Sequence, residues 1–162
     1  MKIKNIVKLF FISMLFMMAC NLYVKEKEEI ESIISEISKL NNKEVDGEKK
    51  FKDYKDKISE LKERFKDISD PGLKEELLKL ENLFQDKLAA KLAALKAAKQ
   101  KIEGITETDN TKAKTKIWSE SKLVGVTIKF SGGYTSGNGK KMSEDAVSQI
   151  ERIIKFLEEG TN

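Results

Sequence analysis

The stretch that decides the fold covers residues 70–104 and reads DPGLKEELLKLENLFQDKLAAKLAALKAAKQKIEG. Asp70 can cap a helix N-terminus, and Pro71 then occupies the first helical position, where its missing N–H costs nothing. No glycine or proline follows Gly72 until Gly104, so the sequence predicts a single helix about 50 Å long. Its apolar face consists of Leu73, Leu77, Leu80, Phe84, Leu88, Leu92, Leu95 and Ile102.

A second apolar seam precedes this long helix. Its members follow at alternating intervals of three and four residues, a pattern typical of helices packed lengthwise: Phe51, Tyr54, Ile58, Leu61, Phe65 and Ile68. The sequence therefore predicts a mainly α protein, a helical bundle built on a long antiparallel helix hairpin, with Leu61 and Leu92 buried. A free coiled-coil rod is the alternative, but the mixed spacing along the long helix disfavours it.

The remaining segments give weaker patterns. Apolar residues at helical spacing predict a first helix over about 22–40. We expect a polar loop over 106–115 and a short helix over 116–123, with Trp118 packed in the core. Alternating apolar residues from 124 to 130 are typical of a strand. Whether a short β-hairpin forms over 124–136, before the C-terminal helix, is left open by the sequence.

The last helix is delimited by its expected caps. Ser143 is a typical N-cap residue, and Met142 and Val147 stand where a hydrophobic staple would place them. Gly160 stands where the left-handed residue after a helix is usually found. We therefore expect a helix that begins at Ser143 and ends just before Gly160.

Residues 1–19 have the features of a lipoprotein signal peptide. Three lysines precede an apolar run over 9–19, which is too short to span a bilayer comfortably. Ala19 followed by the only cysteine of the chain is typical of a bacterial lipobox, so we expect Cys20 to be acylated with fatty acids such as palmitate. An ordinary signal peptide with a chance cysteine is the alternative. The mature chain would be one helical surface domain, 20–162, with a short tether over 20–25.

The composition argues against catalysis. The 162 residues contain no histidine and one cysteine, which removes the commonest general base, the commonest metal ligand and any disulfide. Loss of residues 1–19 would remove three lysines and no acid, which lowers the net charge from +4 to +1. A nearly neutral body does not favour nucleic-acid binding. We therefore expect no enzyme, no cofactor, no metal ion and no nucleic-acid partner.

Basic residues near the predicted loops are the candidate ligand-binding site. Loops carried by a rigid scaffold often mediate recognition. The candidates combine positive charge with one aromatic ring: Lys112, Lys114, Lys116, Tyr134, Lys140 and Lys141. The lysines of the long helix are interpreted instead as a solvated helix face: Lys87, Lys91, Lys96 and Lys99.

Several stretches resemble one protein family, the Rev surface lipoproteins of Lyme-disease spirochaetes (Borrelia). They are FKDYKDKISELK (51–62), FQDKLAAKLAALKAAK (84–99), KIWSESKLVGVT (116–127), TSGNG (135–139) and KFLEEGTN (155–162). The resemblance implies a lipid-anchored, surface-exposed protein of the outer membrane. It also implies an adhesin that binds host fibronectin, with laminin as a second ligand, although no binding motif of the family can be transferred residue by residue. An envelope or immune-evasion lipoprotein that binds complement or plasminogen is the alternative.

Overall fold

The computed structural model of this chain describes residues 23–45, 47–130 and 139–160. Within these ranges the chain forms five α-helices and no β-strand. The helices are α1 (Val24–Ser38), α2 (Gly47–Phe65), α3 (Pro71–Glu103), α4 (Asn110–Leu123) and α5 (Gly139–Gly160). The prediction of a mainly α helical bundle is confirmed.

Helix α3 is the centre of the bundle, and it packs against each of the other four helices. Its N-terminus is capped as predicted, because the Asp70 carboxylate accepts a hydrogen bond of 2.6 Å from the Leu73 N–H and Pro71 is the first helical residue. Helix α2 returns along α3 in the antiparallel sense, with the rings of Phe51 and Phe84 6.0 Å apart. Helices α1 and α5 cover further faces of α3.

The core contains apolar side chains from all five helices. Leu61 of α2 is buried as predicted, with 1% of its surface exposed. Leu92 of α3 is only half-buried, so this part of the prediction is corrected. The buried stripe of α3 passes through Leu88, Lys91 and Leu95, which places Leu92 at its edge.

The two ends of α3 define two ends of the bundle. At the first end, Lys27 near the start of α1 forms an ion pair of 3.3 Å with Asp70 before α3. At the other end, α4 and α5 begin side by side, because Gly139 lies against the Glu107 carbonyl and the Ala113 methyl group. A Cβ atom at Gly139 would overlap that carbonyl, so this close approach requires glycine. Helix α3 spans about 50 Å between these ends.

Helix α4 begins at Asn110, six residues before its predicted start at 116. The prediction of a polar loop over 106–115 is therefore wrong for residues 110–115, which are helical. Asp109 caps the helix by accepting a hydrogen bond of 3.0 Å from the Lys112 N–H. The small Ala113 is fully buried, so a single methyl group is enough to attach the polar first turn to the bundle.

The β-hairpin is not supported. Residues 126–130 have no regular secondary structure, and no strand exists among the described residues. The side-chain amide of Gln149 on α5 instead accepts a hydrogen bond of 2.9 Å from the Lys129 N–H and donates one of 2.7 Å to the Lys129 carbonyl. The expected second half of the hairpin, 131–136, lies outside the described residues.

Helix α5 also begins earlier than predicted, at Gly139 rather than at Ser143. Ser143 is buried within the helix, where its hydroxyl donates a hydrogen bond of 3.2 Å to the Gly139 carbonyl. Gly160 is still helical and does not have a positive φ. Both predicted caps of this helix are therefore wrong. In none of the described ranges is a helix both long enough and apolar enough to span a bilayer.

Candidate functional site

The structure divides the predicted ligand-binding residues between two places. Four lysines lie where α4 and α5 begin, at the end of the bundle farthest from Lys27 and Asp70, and we call them the basic tip: Lys112, Lys116, Lys140 and Lys141. Lys114 lies instead beside Trp118 on another face of α4. Tyr134 and the expected lipidation site, Cys20, lie outside the described residues.

The basic tip forms because the first turns of α4 and α5 abut at Gly139 and Ala113. Lys116 forms an ion pair of 3.0 Å with Glu107, and Lys140 lines a depression of about 370 Å³ with the same glutamate. The remaining lysines of the tip are exposed, and no carboxylate in the described ranges lies within 4 Å of their ammonium groups. The tip therefore presents accessible ammonium groups to solvent, beside the carboxylates of Glu103 and Glu107.

A second surface surrounds Trp118. It is a groove of about 390 Å³, which we call the Trp118 groove, lined by Lys43, Val45, Trp118, Lys122, Gly125, Val126, Thr127 and Ile128. Half of the Trp118 surface is exposed, so the expectation that this residue packs in the core is wrong. Val45 opposite is 60% exposed. The groove thus combines solvent-accessible apolar side chains with lysines at its rim.

The indole ring of Trp118 is held by its neighbours. Its centroid lies 6.0 Å from that of Phe130, at an interplanar angle of 44°. The Lys114 ammonium lies 5.6 Å from the Trp118 ring centroid and 5.8 Å from that of Phe130, within the range of cation–π attraction. These contacts fix the ring while half of its surface still faces solvent.

The floor of the groove is fixed by close main-chain packing. Gly125 has a φ of +66°, and a Cβ atom there would overlap the carbonyl group of Glu44 in the α1–α2 loop. Beneath this contact, the Lys91 ammonium donates hydrogen bonds to the carbonyl oxygens of Asn42 and Val124. Three separate segments of the chain are therefore held together below Trp118.

The sequence analysis missed the groove because it placed the start of α4 too late. The buried residues of α4 are Ala113, Ile117 and Ser121, at intervals of four. Once the helix is extended back to Asn110, the buried stripe passes through Ile117, and Trp118 is the next residue in sequence, turned away from the core. The spacing of the buried residues along α4 could therefore have identified Trp118 as exposed. Lys43 and Val45 could not be assigned in this way, because only the tertiary fold brings their loop to α4.

Neither surface carries an evident metal centre. No group of three or more acidic or cysteine side chains in 23–45, 47–130 and 139–160 is arranged to hold a metal ion. The exposed side chains at these surfaces are lysines at the basic tip and apolar residues with lysines at the Trp118 groove.

Comparisons with known proteins agree on one family. Residues 1–159 match the family model described as the Borrelia burgdorferi REV protein. The chain is also similar to the crystal structure of a Rev protein from Borrelia burgdorferi at 1.80 Å resolution, with 61% sequence identity and a TM-score of 0.76. The match covers 84% of this chain and 97% of that protein. No curated protein matches the chain.

Proposed function

The chain belongs to the Rev family of Borrelia burgdorferi proteins, and we propose that it acts as a surface-exposed adhesin. In this proposal Cys20 carries the lipid that anchors the protein in the outer membrane. The ligand is host extracellular matrix, with fibronectin first and laminin second. The protein binds its ligand and catalyses no reaction.

The observation that carries the proposal is the position of the basic tip relative to the start of the chain. Helix α1 begins at Val24, shortly after Cys20, and its first turns lie beside Asp70 at one end of α3. The basic tip lies at the opposite end, beyond Glu103. An anchor at Cys20 would therefore direct the tip away from the membrane, about 50 Å along α3. That orientation suits contact with a macromolecule outside the cell.

The direct test is a binding panel with purified residues 21–162, which contain every described helix. Fibronectin, laminin, plasminogen, complement regulators and heparin are immobilised in parallel. We expect fibronectin to be bound, and the affinity to fall as salt is raised, because exposed charges are screened beyond about 8 Å at physiological ionic strength. Binding to a complement regulator or to plasminogen without fibronectin would favour the alternative function.

A matched pair of variants tests the basic tip. The tip variant combines K112S, K116S, K140S and K141S. The control variant removes the same number of charges from exposed lysines elsewhere, through K25S, K39S, K49S and K74S. We expect the tip variant to bind fibronectin more weakly and with less salt dependence, while the control resembles the wild type. Equal loss in both variants would assign the effect to net charge, and no loss in either would place the site elsewhere.

The anchor is tested in cells with Cys20→Ala. The wild-type protein should incorporate labelled fatty acid, partition with membranes and be digested by protease added to intact cells. The variant should accumulate as uncleaved or mislocalised precursor without label. Normal labelling of the variant would contradict lipidation at Cys20, and protection of the labelled wild type from protease would contradict surface exposure.

A further inference from the structure

The Trp118 groove exposes apolar surface that the core does not need. Trp118 and Val45 are half or more exposed, although each helix already contributes buried apolar side chains to the core. Large apolar side chains grouped on a surface and bordered by polar residues are typical of interaction sites. Tryptophan in particular is enriched among the residues that dominate binding energy.

The groove is pre-formed. Its concave volume of about 390 Å³ is enough for one or two side chains of a ligand. The close contact between Gly125 and Glu44, together with the buried Lys91, fixes the main chain around it. Phe130 and Lys114 hold the indole ring in place. A ligand would therefore pay little free energy to order this surface, which favours binding.

The rim of the groove is positively charged. Lys43 and Lys122 are both exposed, and no carboxylate among the described residues lies within 4 Å of either ammonium group. Elsewhere on the bundle lysines cross to glutamates on neighbouring helices, as Lys62 does to Glu81 at 3.0 Å. The charge at the rim is therefore available to a partner, and charge complementarity calls for an acidic one.

The segment that follows α4 forms one wall of the groove through Val126, Thr127 and Ile128. Gln149 on α5 bonds both main-chain groups of Lys129, which holds this segment in place. Ile128 is only 5% exposed, so it contributes an apolar wall and not a free main-chain edge. The wall therefore offers a partner apolar contact next to the charged rim.

We infer that the Trp118 groove binds an acidic peptide segment of a partner protein, with one apolar side chain of that segment placed against Trp118. Lys43 and Lys122 pair with acidic residues on either side. A lipid surface would meet the lysines and the indole ring but could not fill a concave groove. The site uses other lysines than the basic tip, and it does not depend on which host protein the tip binds.

Trp118 makes the test direct, because it is the only tryptophan in the chain. The probe is a synthetic peptide in which glutamate alternates with valine around one central phenylalanine. It is titrated into residues 21–162 up to about 1 mM, a concentration that detects even weak binding. We expect a saturable blue shift of Trp118 emission as the indole ring loses contact with water. A peptide with lysine in place of glutamate should cause no shift.

Two double variants test the role of the charges at the rim. K43S combined with K122S should weaken binding about fivefold to tenfold, as expected for the loss of two exposed charge pairs. K25S combined with K74S, which removes two exposed charges elsewhere, should leave binding unchanged.

Several results would overturn the inference. Absence of a shift, or equal shifts with the acidic and the basic peptide, would exclude acidic recognition at Trp118. A shift caused by vesicles of anionic lipid and not by the peptide would assign the groove to a membrane surface. Unchanged affinity in the variant with K43S and K122S would place the peptide elsewhere. If the protein binds the acidic peptide but does not bind fibronectin, the proposed adhesin function fails and the present inference still holds.

Discussion

The ammonium group of Lys91 donates a hydrogen bond of 2.7 Å to the carbonyl oxygen of Val124, at the C-terminal end of α4. A second bond of 2.8 Å runs to the carbonyl oxygen of Asn42 in the α1–α2 loop. Only 2% of Lys91 is exposed. Burial lowers the pKa of its side chain, while the carboxylates of Glu48 and Glu44 act in the opposite direction. Lys91 therefore joins three segments of the chain beneath the Trp118 groove.

Replacement of this lysine should destabilise the protein. Lys91→Met keeps a side chain of similar length but leaves the buried Val124 carbonyl and the partly buried Asn42 carbonyl without their donor. This change should lower the free energy of unfolding by about 1–3 kcal/mol. Because the groove floor loosens, Trp118 emission should also change in the folded variant. Chemical denaturation followed by circular dichroism measures the first effect, and fluorescence measures the second.

Lys87→Met is the matched control. Lys87 donates to the Ser38 and Leu40 carbonyls at 2.7 and 3.0 Å, but it lies nearer to solvent, where water can replace the lost donor. Its replacement should cost less than about 1 kcal/mol and leave Trp118 emission unchanged. An equal decrease in the free energy of unfolding in the two variants would show that burial does not strengthen the contribution of the Lys91 hydrogen bonds.

The sequence analysis interpreted Lys91 as part of a solvated helix face, and this was wrong. The position could have been suspected, because Lys91 continues the stripe of Leu88 and Leu95. Lysine is rarely buried without partners, however, and its partners here are main-chain carbonyls far away in sequence. No pattern of side chains reveals such acceptors before the fold is known.

Helix caps and the spacing of apolar residues were more informative than the position of this lysine. The cap at Asp70, the helix that follows it and its pairing with α2 depend on neighbouring residues and on apolar spacing, and these predictions are confirmed. The start of α4 was misplaced because its first turn carries a single buried methyl group, from Ala113. Alternating apolar residues over 124–130 predicted a strand, and this was wrong: the described residues contain no strand, and the Gln149 side chain bonds the main chain of Lys129 instead.

Gly125 should be indispensable for the floor of the groove. Gly125→Ala introduces a side chain at a φ of +66° and into the Glu44 carbonyl, so it should destabilise the protein by more than about 1 kcal/mol. Gly104→Ala is the control, since Gly104 has a φ of −75° and no atom crowds its Cβ position closely. That change should be neutral or stabilising by less than about 1 kcal/mol. Equal midpoints of thermal unfolding for the two variants would contradict the assigned strain.

Leu61 and Leu92 should differ although both lie on predicted seams. Leu61→Ala should cost about 2–5 kcal/mol, because the side chain is 1% exposed and its loss leaves a cavity. Leu92→Ala should cost less than about 2 kcal/mol, because its site at the edge of the α3 stripe remains open to water. Urea unfolding of both variants measures the difference. A larger loss at Leu92 would mean that the core face of α3 is wrongly assigned.

Two helix caps should make stability sensitive to acid. The Leu73 N–H lowers the pKa of Asp70, and the Lys112 N–H lowers the pKa of Asp109, both from an ordinary value of 3.8. A carboxyl group whose pKa is lower in the folded state stabilises that state above its unfolded pKa, and the contribution is lost as the pH falls through the folded pKa. Asparagine can still cap but carries no charge. Asp70→Asn combined with Asp109→Asn should therefore lower the melting temperature at pH 7 and reduce its further fall between pH 4 and about pH 2.5.

Asp67→Asn, a change at an exposed aspartate, is the control and should retain the wild-type acid sensitivity. If acid lowers the melting temperature of the double variant as much as that of the wild type, the two capping charges do not contribute to the acid sensitivity of the fold.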